Sequence, residues 1–168
     1  MTNELEVLRS VDEENNITQR ELAKRTGLSL GSVNVLLKRL IHKGLLKIEH
    51  INSRTIKYML TPKGLMEKVR LTYQYIVVSY NHISVIESKI EQIAENKKDC
   101  RIVLYGEKDE LYEIISAKLK AMNILFAYIN DTDGIKKYNS DGYIIITWSP
   151  EHLEQENLGS GDIINILS

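Results

Sequence analysis

Apolar residues in the first third of the chain recur at the spacing of an amphipathic helix. The clearest set follows the i, i+3, i+4, i+7 pattern and consists of Val33, Leu36, Leu37 and Leu40. This spacing predicts a helix from Leu30 to about Lys43 that buries one stripe. The opposite face carries small, polar and basic side chains, namely Gly31, Val35, Lys38 and His42, with Asn34 and Arg39 on its flanks.

A shorter helix is predicted directly before this one. Thr18 and Glu21 have the spacing of a capping box, in which each side chain bonds the backbone N–H of the other residue. The helix then runs from Gln19 to Arg25 and ends at Gly27, which tolerates a left-handed conformation. Ser29 is a suitable N-cap for the next helix. Two helices joined by such a tight turn form a helix-turn-helix.

The period changes after Gly44. The runs "LLKIEHI" and "TIKYMLT" predict two strands, joined by a turn from Asn52 to Thr55. A hairpin that directly follows a helix-turn-helix is a wing. We expect Arg54, near the tip of this wing, to contact phosphate or to enter a minor groove.

A long helix is predicted from Pro62 to about Glu95, because Thr61 and Pro62 form a favourable start. Its apolar residues step mostly by four and three along one seam, Leu65, Val69, Tyr73, Ile76, Tyr80, Ile83, Ile86, Ile90 and Ile93. A helix of this length spans roughly 50 Å, and such a seam suits another helix. We therefore expect a homodimer formed through helix 62–95. The alternative is packing onto the N-terminal helix and the C-terminal half of the same chain.

Continuous apolar runs alternate with helical segments in the C-terminal half. Helices are predicted at Glu107–Met122 and within "SPEHLEQENL", and strands are predicted at Arg101–Tyr105, Ile124–Asn130, Gly142–Trp148 and Asp162–Leu167. Buried strands that alternate with helices indicate a small parallel sheet. For this sheet we predict the strand order 2-1-3-4.

These elements divide the 168-residue chain into two domains, of α+β and α/β class, and a connecting helix. Residues 1–61 are predicted to form a winged helix-turn-helix domain, and residues 62–98 a long linker or dimerisation helix. Residues 99–168 are predicted to form a small parallel α/β domain similar to half of a nucleotide-binding, Rossmann-like fold. Its first strand-to-helix turn, "LYGEKDE", has one glycine and several carboxylates, which is unfavourable for a pyrophosphate.

Charge is unevenly distributed along the chain, although the net charge is only −1. Residues 16–64 hold ten Lys and Arg against two Glu, whereas residues 99–168 hold six against twelve Asp and Glu. Because polyphosphate attracts a basic module, we expect the helix-turn-helix to bind double-stranded DNA with its second helix in the major groove. The residues expected to contact DNA are Thr18, Lys24, Arg25, Ser29, Gly31, Ser32, Asn34, Val35, Lys38, Arg39, His42 and Arg54.

No catalytic constellation or metal site is expected. The four histidines lie in different predicted elements, and no HExxH, GxSxG or phosphate-loop motif occurs. The single cysteine, Cys100, excludes an intrachain disulfide and fits a reducing compartment. With no secretory signal and no apolar run of membrane-spanning length, the chain is expected to be cytoplasmic and to need no cofactor.

The carboxyl ends of the predicted strands form a second candidate site. Ligands of parallel α/β sheets bind in the crevice at this edge. Here it would be lined by Tyr105, Gly106, Asn130, Asp131, Thr132, Thr147 and Trp148. A small uncharged or cationic effector would suit these side chains. The alternative is a sheet used only for packing or for contacts between copies of the chain.

The stretch from Ile17 to Ile48, followed by "YMLTPKGLMEKVRLTYQYI", resembles the MarR-type winged-helix regulators. The segment "LTPKGLMEKVRLT" is similar to the "LTP.G..EK.RLT..F" stretch of a small branch associated with exopolysaccharide biosynthesis operons. The resemblance covers about Leu5 to Glu95. It implies a homodimer that binds DNA through helix 30–43 and the wing. The apolar segment 75–78 and the further domain after Glu95 depart from the family pattern.

The sequence therefore predicts a dimeric transcriptional regulator that is not an enzyme, with a C-terminal domain for ligand sensing or assembly. Two other classes of function stay open. A winged helix also serves as a protein-interaction adaptor, which would show no salt-dependent binding to a random duplex. A small nucleotide-binding α/β enzyme with an appended winged helix would need its active site around Tyr105 and Trp148.

Overall fold

The structure is a computed structural model that describes residues 2–14, 16–52, 55–96, 99–138, 140, 142–149 and 162–168. The chain divides into two compact units, Met1–Ser79 and Tyr80–Ser168, here called the first unit and the second unit. The boundary between them falls inside a long helix, so the three-part division expected from the sequence stays a prediction. No helix in the described ranges is both long and apolar enough to cross a membrane.

The first unit contains three helices, a two-stranded antiparallel sheet and the start of the long helix α4 (Pro62–Asn96). The other elements are α1 (Asn3–Glu13), α2 (Gln19–Thr26), α3 (Leu30–His42), β1 (Leu46–Asn52) and β2 (Thr55–Leu60). This order of elements confirms the predicted winged helix-turn-helix followed by a long helix. Ser53 and Arg54, in the predicted turn of the wing, lie outside the described residues.

Local sequence signals set the ends of α2 and the start of α3. The Glu21 backbone N–H donates to the Thr18 hydroxyl at 3.2 Å, and the Thr18 N–H donates to the Glu21 carboxylate at 2.7 Å. Gly27 has a φ of 68° at the end of α2, a conformation that a Cβ atom disfavours. Ser29 then caps α3 by accepting from the Ser32 N–H. The predicted capping box and glycine turn are confirmed.

One hydrophobic core joins α1, α2, α3 and the sheet of the first unit. Its buried residues are Val7, Leu8, Val11, Ile17, Leu22, Val33, Leu36, Leu37, Leu40, Leu45, Leu46 and Tyr58. The predicted stripe of α3 therefore belongs to this core. Each leucine buried there stabilises the fold by about 1.5–3 kcal/mol, so the stripe determines which face of α3 points outward.

The second unit contains a four-stranded sheet and two further helices. Its strands are β3 (Arg101–Tyr105), β4 (Phe126–Ile129), β5 (Tyr143–Thr147) and β6 (Asp162–Asn165). Every pairing is parallel and the order is β4-β3-β5-β6, which confirms the predicted order 2-1-3-4. The helix α5 (Glu110–Ala121) contributes Ile115 and Leu119 to the core over the sheet.

The region after β4 differs from the prediction. A short helix, α6 (Thr132–Tyr138), follows this strand where the sequence analysis expected only crevice residues. Its seven residues include one buried apolar side chain, Ile135, which is too few to produce a helical period. β4 is also shorter than predicted. The helix predicted from Ser149 onward lies outside the described residues, apart from Ser149 itself.

The apolar seam of α4 has two different environments. Ile86 and Ile90 are buried within the second unit, in the same cluster as Ile102 and Ile144 of the sheet. The expectation that a partner chain covers the whole seam is therefore wrong for this half, which packs onto the C-terminal half of its own chain. The seam residues from Leu65 to Ile76 are exposed. Any dimer contact through α4 is thus limited to the part that the protein leaves uncovered.

Candidate nucleic-acid interface

The outward face of α3 is open to solvent. Val35 is 68% exposed, and Gly31, Lys38 and His42 are exposed around it. Asn34 is half-buried on the flank of this face. Because the opposite stripe is held in the core, the small, polar and basic side chains that were predicted to meet DNA lie together on one surface.

Ser29 and Ser32 occupy the first turn of α3 and are exposed. Their hydroxyl oxygens are 2.9 Å apart and hydrogen-bonded, and Ser29 Oγ accepts from the Ser32 N–H at 3.2 Å. The start of a helix carries the positive end of its dipole and favours an anion. This turn is therefore suited to contact a DNA phosphate, which agrees with the DNA contacts predicted for Ser29 and Ser32.

A groove of about 590 Å³ lies between the first turn of α3 and the start of α1. It is lined by Asn3, Leu28, Ser29, Gly31, Ser32, Val35, Leu36 and Arg39. Five of these residues belong to the predicted DNA contacts. The groove also includes Asn3 of α1, which the sequence analysis did not connect with this surface.

The basic residues predicted to contact DNA differ in their surroundings. Lys38 is exposed and forms no ion pair within the described part of the chain. Lys24 is also exposed. Arg25, by contrast, forms ion pairs with Glu13 and Glu14 at the end of α1. A phosphate would have to displace these carboxylates before it could pair with Arg25.

Arg39 and Lys43 share an acidic partner that the sequence analysis missed. Arg39 Nη2 lies 3.4 Å from Glu4 Oε2, and Lys43 Nζ lies 3.1 Å from Glu4 Oε1. Glu4 lies in the first turn of α1, where the helix dipole also stabilises its negative charge. The acidic N-terminus is visible in the sequence, but only the fold brings Glu4 to cations more than 30 positions away.

Thr18 is exposed, yet its polar groups are already engaged. Its hydroxyl and its backbone N–H both bond Glu21. The hydrogen bond from the Thr18 backbone N–H, with help from the hydroxyl, holds the pKa of the Glu21 carboxyl below its usual value. Gln19, in the same turn, donates to the Tyr58 hydroxyl of β2 at 2.8 Å. Thr18 therefore stabilises the start of α2, and its contact with DNA stays a prediction.

The wing pairs β1 with β2 from Leu46 opposite Leu60 to Asn52 opposite Thr55. The register shifts between His50 and Asn52, which is typical of a bulge and increases the local twist. The described strands thus lead into the predicted turn. The contact expected for Arg54 lies beyond them and stays a prediction.

The carboxyl edge of the parallel sheet is largely filled by the protein's own side chains. Tyr105, Thr147 and Trp148 are only 7%, 1% and 4% exposed. The Trp148 ring packs over Gly106 so closely that a Cβ atom there would lie 2.6 Å from Trp148 Cε2. The fold therefore brings these predicted crevice residues together, and an aromatic ring occupies the space above the glycine.

The remaining crevice residues lie nearer to solvent. Asn130 is exposed, and Asp131 Oδ1 accepts from the Gly134 N–H at 2.5 Å at the start of α6. Close to this edge, Lys108 Nζ lies 4.6 Å from the centre of the Tyr128 ring, which is a cation–π contact. No sequence motif indicates such an aromatic contact, so Lys108 and Tyr128 were not predicted to lie at this edge.

Comparison with known proteins gives a family match for the part of the chain that contains α3. Residues 2–47 match the protein family described as winged helix-turn-helix DNA-binding. No curated protein sequence matches the chain. Several solved structures are similar to part of the chain.

BpsR of Bordetella bronchiseptica, whose DNA binding is regulated by 6-hydroxynicotinic acid, is 18% identical, with a TM-score of 0.43 over 48% of this chain and 59% of BpsR. The transcriptional regulator PcaV of Streptomyces coelicolor is 21% identical, with a TM-score of 0.43 over 58% of this chain and 79% of PcaV. A MarR family transcriptional regulator from Silicibacter pomeroyi is 16% identical, with a TM-score of 0.41 over 73% and 69% of the two chains. Likenesses this low transfer no function to this chain.

The family match confirms the predicted winged helix-turn-helix over residues 2–47, whereas the resemblance to MarR-type regulators in particular stays a prediction. The exopolysaccharide branch and the nature of the second unit stay predictions. The family match spans α1, α2 and α3 and ends in β1, so it includes the whole outward face described above. Residues 2–47 of this chain are therefore similar to winged helix-turn-helix DNA-binding domains.

Proposed function

We propose that this chain is a homodimeric transcription regulator that binds double-stranded DNA in a sequence-specific manner through α3. The family match over residues 2–47 supports the DNA-binding class. The observation that carries the proposal is the asymmetry of α3, in which Val35 is 68% exposed and Leu40 is fully buried. A helix that docks in a major groove needs a free face of this kind, with small residues that permit close approach.

The residues on this face are assigned two kinds of contact. Asn34 reads a base edge, because its amide group suits the paired donor and acceptor of adenine. Val35 contacts the methyl group of thymine. Lys38 and Lys24 contact phosphates, which position the domain and supply affinity for any duplex. Sequence preference therefore depends on the first pair and salt dependence on the second.

Selection of bound duplexes from a random pool, followed by mobility shifts over a range of salt concentrations, tests this proposal. The wild type should enrich a site with two-fold symmetry and should lose affinity as salt rises. Lys38→Ala should weaken binding to every duplex and reduce the slope of log K against log salt by about 1. Lys120→Ala removes an exposed lysine of the second unit and should leave this slope unchanged. A wild type without salt-dependent binding contradicts the proposal and favours the protein-interaction adaptor.

The exposed half of α4 supports a second copy of this chain as the dimer partner. Leu65, Val69, Tyr73 and Ile76 follow steps of four and three residues and are 46%, 60%, 68% and 58% exposed. A two-fold axis would bring identical seams together, so that each copy covers the apolar surface of the other. A groove of about 620 Å³ between α1 and α4, which includes Leu5 and Ile76, provides space for the partner's side chains.

Sedimentation of charge-substituted variants tests the dimer separately from DNA binding. The double substitution Val69→Glu and Ile76→Glu places carboxylates in the seam and should produce monomers. Val78→Glu is the matched control, because Val78 is 52% exposed and lies about half a turn around the helix from Val69. Equal dissociation by both variants would place the contact elsewhere.

A further inference from the structure

The first turn of α1 places one carboxylate between two cations of the DNA-binding domain. Glu4 uses both of its oxygens, one toward Arg39 at 3.4 Å and one toward Lys43 at 3.1 Å. The Glu4 side chain is only 17% exposed, whereas those of Arg39 and Lys43 are 57% and 47% exposed. The carboxylate is thus held in place while its two partners still reach solvent.

This carboxylate lies beside the proposed DNA-binding surface. Asn3, its neighbour in α1, lines the same groove as Ser29, Val35 and Arg39. Arginine and lysine bind carboxylate and phosphate oxygens through the same charge-assisted hydrogen bonds. A phosphate that approached Arg39 along this face would therefore compete with Glu4 for the same donors.

We propose that Glu4 sets the DNA affinity of this domain by standing where a DNA phosphate would stand. It neutralises Arg39 and Lys43 in the free protein and has to be displaced from them when a duplex binds. This inference rests on the proposed function, and it assigns to α1 a role against DNA binding as well as its part in the core. Glu4 thus lowers the affinity for every duplex, whatever its sequence.

Counterion release predicts the direction in which the salt dependence of DNA binding changes when Glu4 is replaced. Each phosphate that a cation neutralises releases bound salt ions from the DNA. When Arg39 exchanges Glu4 for a phosphate, the freed carboxylate stands beside a second anion and repels it. The freed carboxylate also attracts a cation from solution, which offsets part of the release. Removal of the Glu4 charge should therefore raise the affinity and make the salt dependence steeper.

Glu4→Gln tests the inference on a random duplex and on a selected duplex. We expect binding about three- to tenfold tighter at low salt and a slope of log K against log salt steeper by up to about 1, since one carboxylate no longer takes up a cation from solution. Glu91→Gln is the matched control. It removes the same charge from a carboxylate that pairs with Lys118 in the second unit, and it should change the affinity less than twofold.

Two further variants separate direct competition from indirect effects. In the background of Arg39→Gln and Lys43→Gln, the substitution Glu4→Gln should raise the affinity less than twofold, because the cations that Glu4 neutralises are absent and only its repulsion of a phosphate is removed. Glu4→Ala should reproduce the gain of Glu4→Gln, and thermal melting should show both variants folded, because exposed ion pairs contribute little to stability.

The possible failures are distinct. Equal gains from Glu4→Gln and Glu91→Gln would reduce the effect to net charge and overturn the inference while DNA binding stood. A gain of undiminished size in the absence of Arg39 and Lys43 would overturn it as well. If neither the wild type nor Glu4→Gln showed salt-dependent binding to any duplex, the proposed function would fall, and the inference with it.

Discussion

The outward face of α3 and the carboxyl edge of the parallel sheet were both predicted from the sequence as binding sites, but they differ in their exposure to solvent. Both were expected to present functional side chains to a ligand. In α3, Val35 is 68% exposed and Lys38 is free of ion pairs within the described residues. At the sheet edge, Trp148 is 4% exposed and covers Gly106. One candidate site faces solvent, and the other is occupied by the protein's own aromatic ring.

A periodic apolar pattern specifies which face of a helix is exposed, but it does not specify what covers the end of a strand. A helix with one apolar stripe has an opposite face that points away from the core by geometry alone. The residues at the ends of parallel strands have no such constraint. Their exposure depends on which loop or side chain covers the sheet edge, and such contacts join residues far apart in the chain, as Gly106 and Trp148 do.

The largest expected effect is the loss of stability caused by replacing Gly106 with alanine. The same replacement at Gly31 of α3 should cause no such loss. In Gly106→Ala the new Cβ would lie 2.6 Å from the Trp148 ring, at a φ of 154°, so the second unit should lose about 1–3 kcal/mol of stability. Trp148 is the only tryptophan of the chain, so denaturant titration followed by its emission reports on this unit.

Gly31→Ala is the counterpart in α3. Its Cβ would meet only Ser29 Oγ, at 3.9 Å, and alanine favours a helix over glycine by about 1 kcal/mol. We expect this variant to be as stable as the wild type or more stable, as measured by circular dichroism. A Gly106→Ala variant as stable as Gly31→Ala would remove the contrast between the two regions.

Replacement of Asn34 should change the preference for a DNA sequence, whereas replacement of Asn130 should not. Asn34→Ala should cost about 1–3 kcal/mol on the selected duplex and relax the preference at one base pair, because a bidentate base contact is lost. It should change binding to random duplex little. Asn130→Ala removes an exposed amide at the sheet edge and serves as the control in the same selection experiment. Loss of affinity on every sequence would move Asn34 from base recognition to phosphate contact.

The smallest expected effect concerns the helix start that precedes α3. Since the folded state lowers the pKa of Glu21, its ionised carboxylate stabilises the first unit above the usual glutamate pKa. This contribution is lost as pH falls from that value through the lowered pKa. Glu21→Gln should remove this part of the acid dependence, measured by thermal melting followed by circular dichroism between pH 3 and 6 (roughly the range over which a glutamate titrates).

Glu113→Gln is the control for this pH experiment. Glu113 stands in the first turn of α5, so its loss should leave the acid dependence of the first unit as it was. If both variants changed the melting curves of the first unit alike, the effect would belong to overall charge rather than to the capping box.

Most of the first unit was predictable because its signals are local. The bonds between Thr18 and Glu21 and the turn at Gly27 involve residues three to nine positions apart, and the stripe of α3 repeats within two turns. α6 was not predictable, since one buried isoleucine among seven residues makes no period. The sequence also did not decide what covers the second half of the α4 seam, because an apolar helix face packs equally well on a partner chain and on the sheet of its own chain.

Local sequence signals were sufficient to predict the elements of the first unit and the direction in which α3 faces. These follow from short-range periodicity and capping residues, whereas the strand order of the parallel sheet was a prediction that the structure confirmed. Only the tertiary structure decided that Glu4 meets Arg39 and Lys43, that Ile86 and Ile90 are covered, and that Trp148 lies over Gly106. Each of these contacts joins distant parts of the chain through packing or charge, and no local pattern encodes which of many compatible partners a side chain meets.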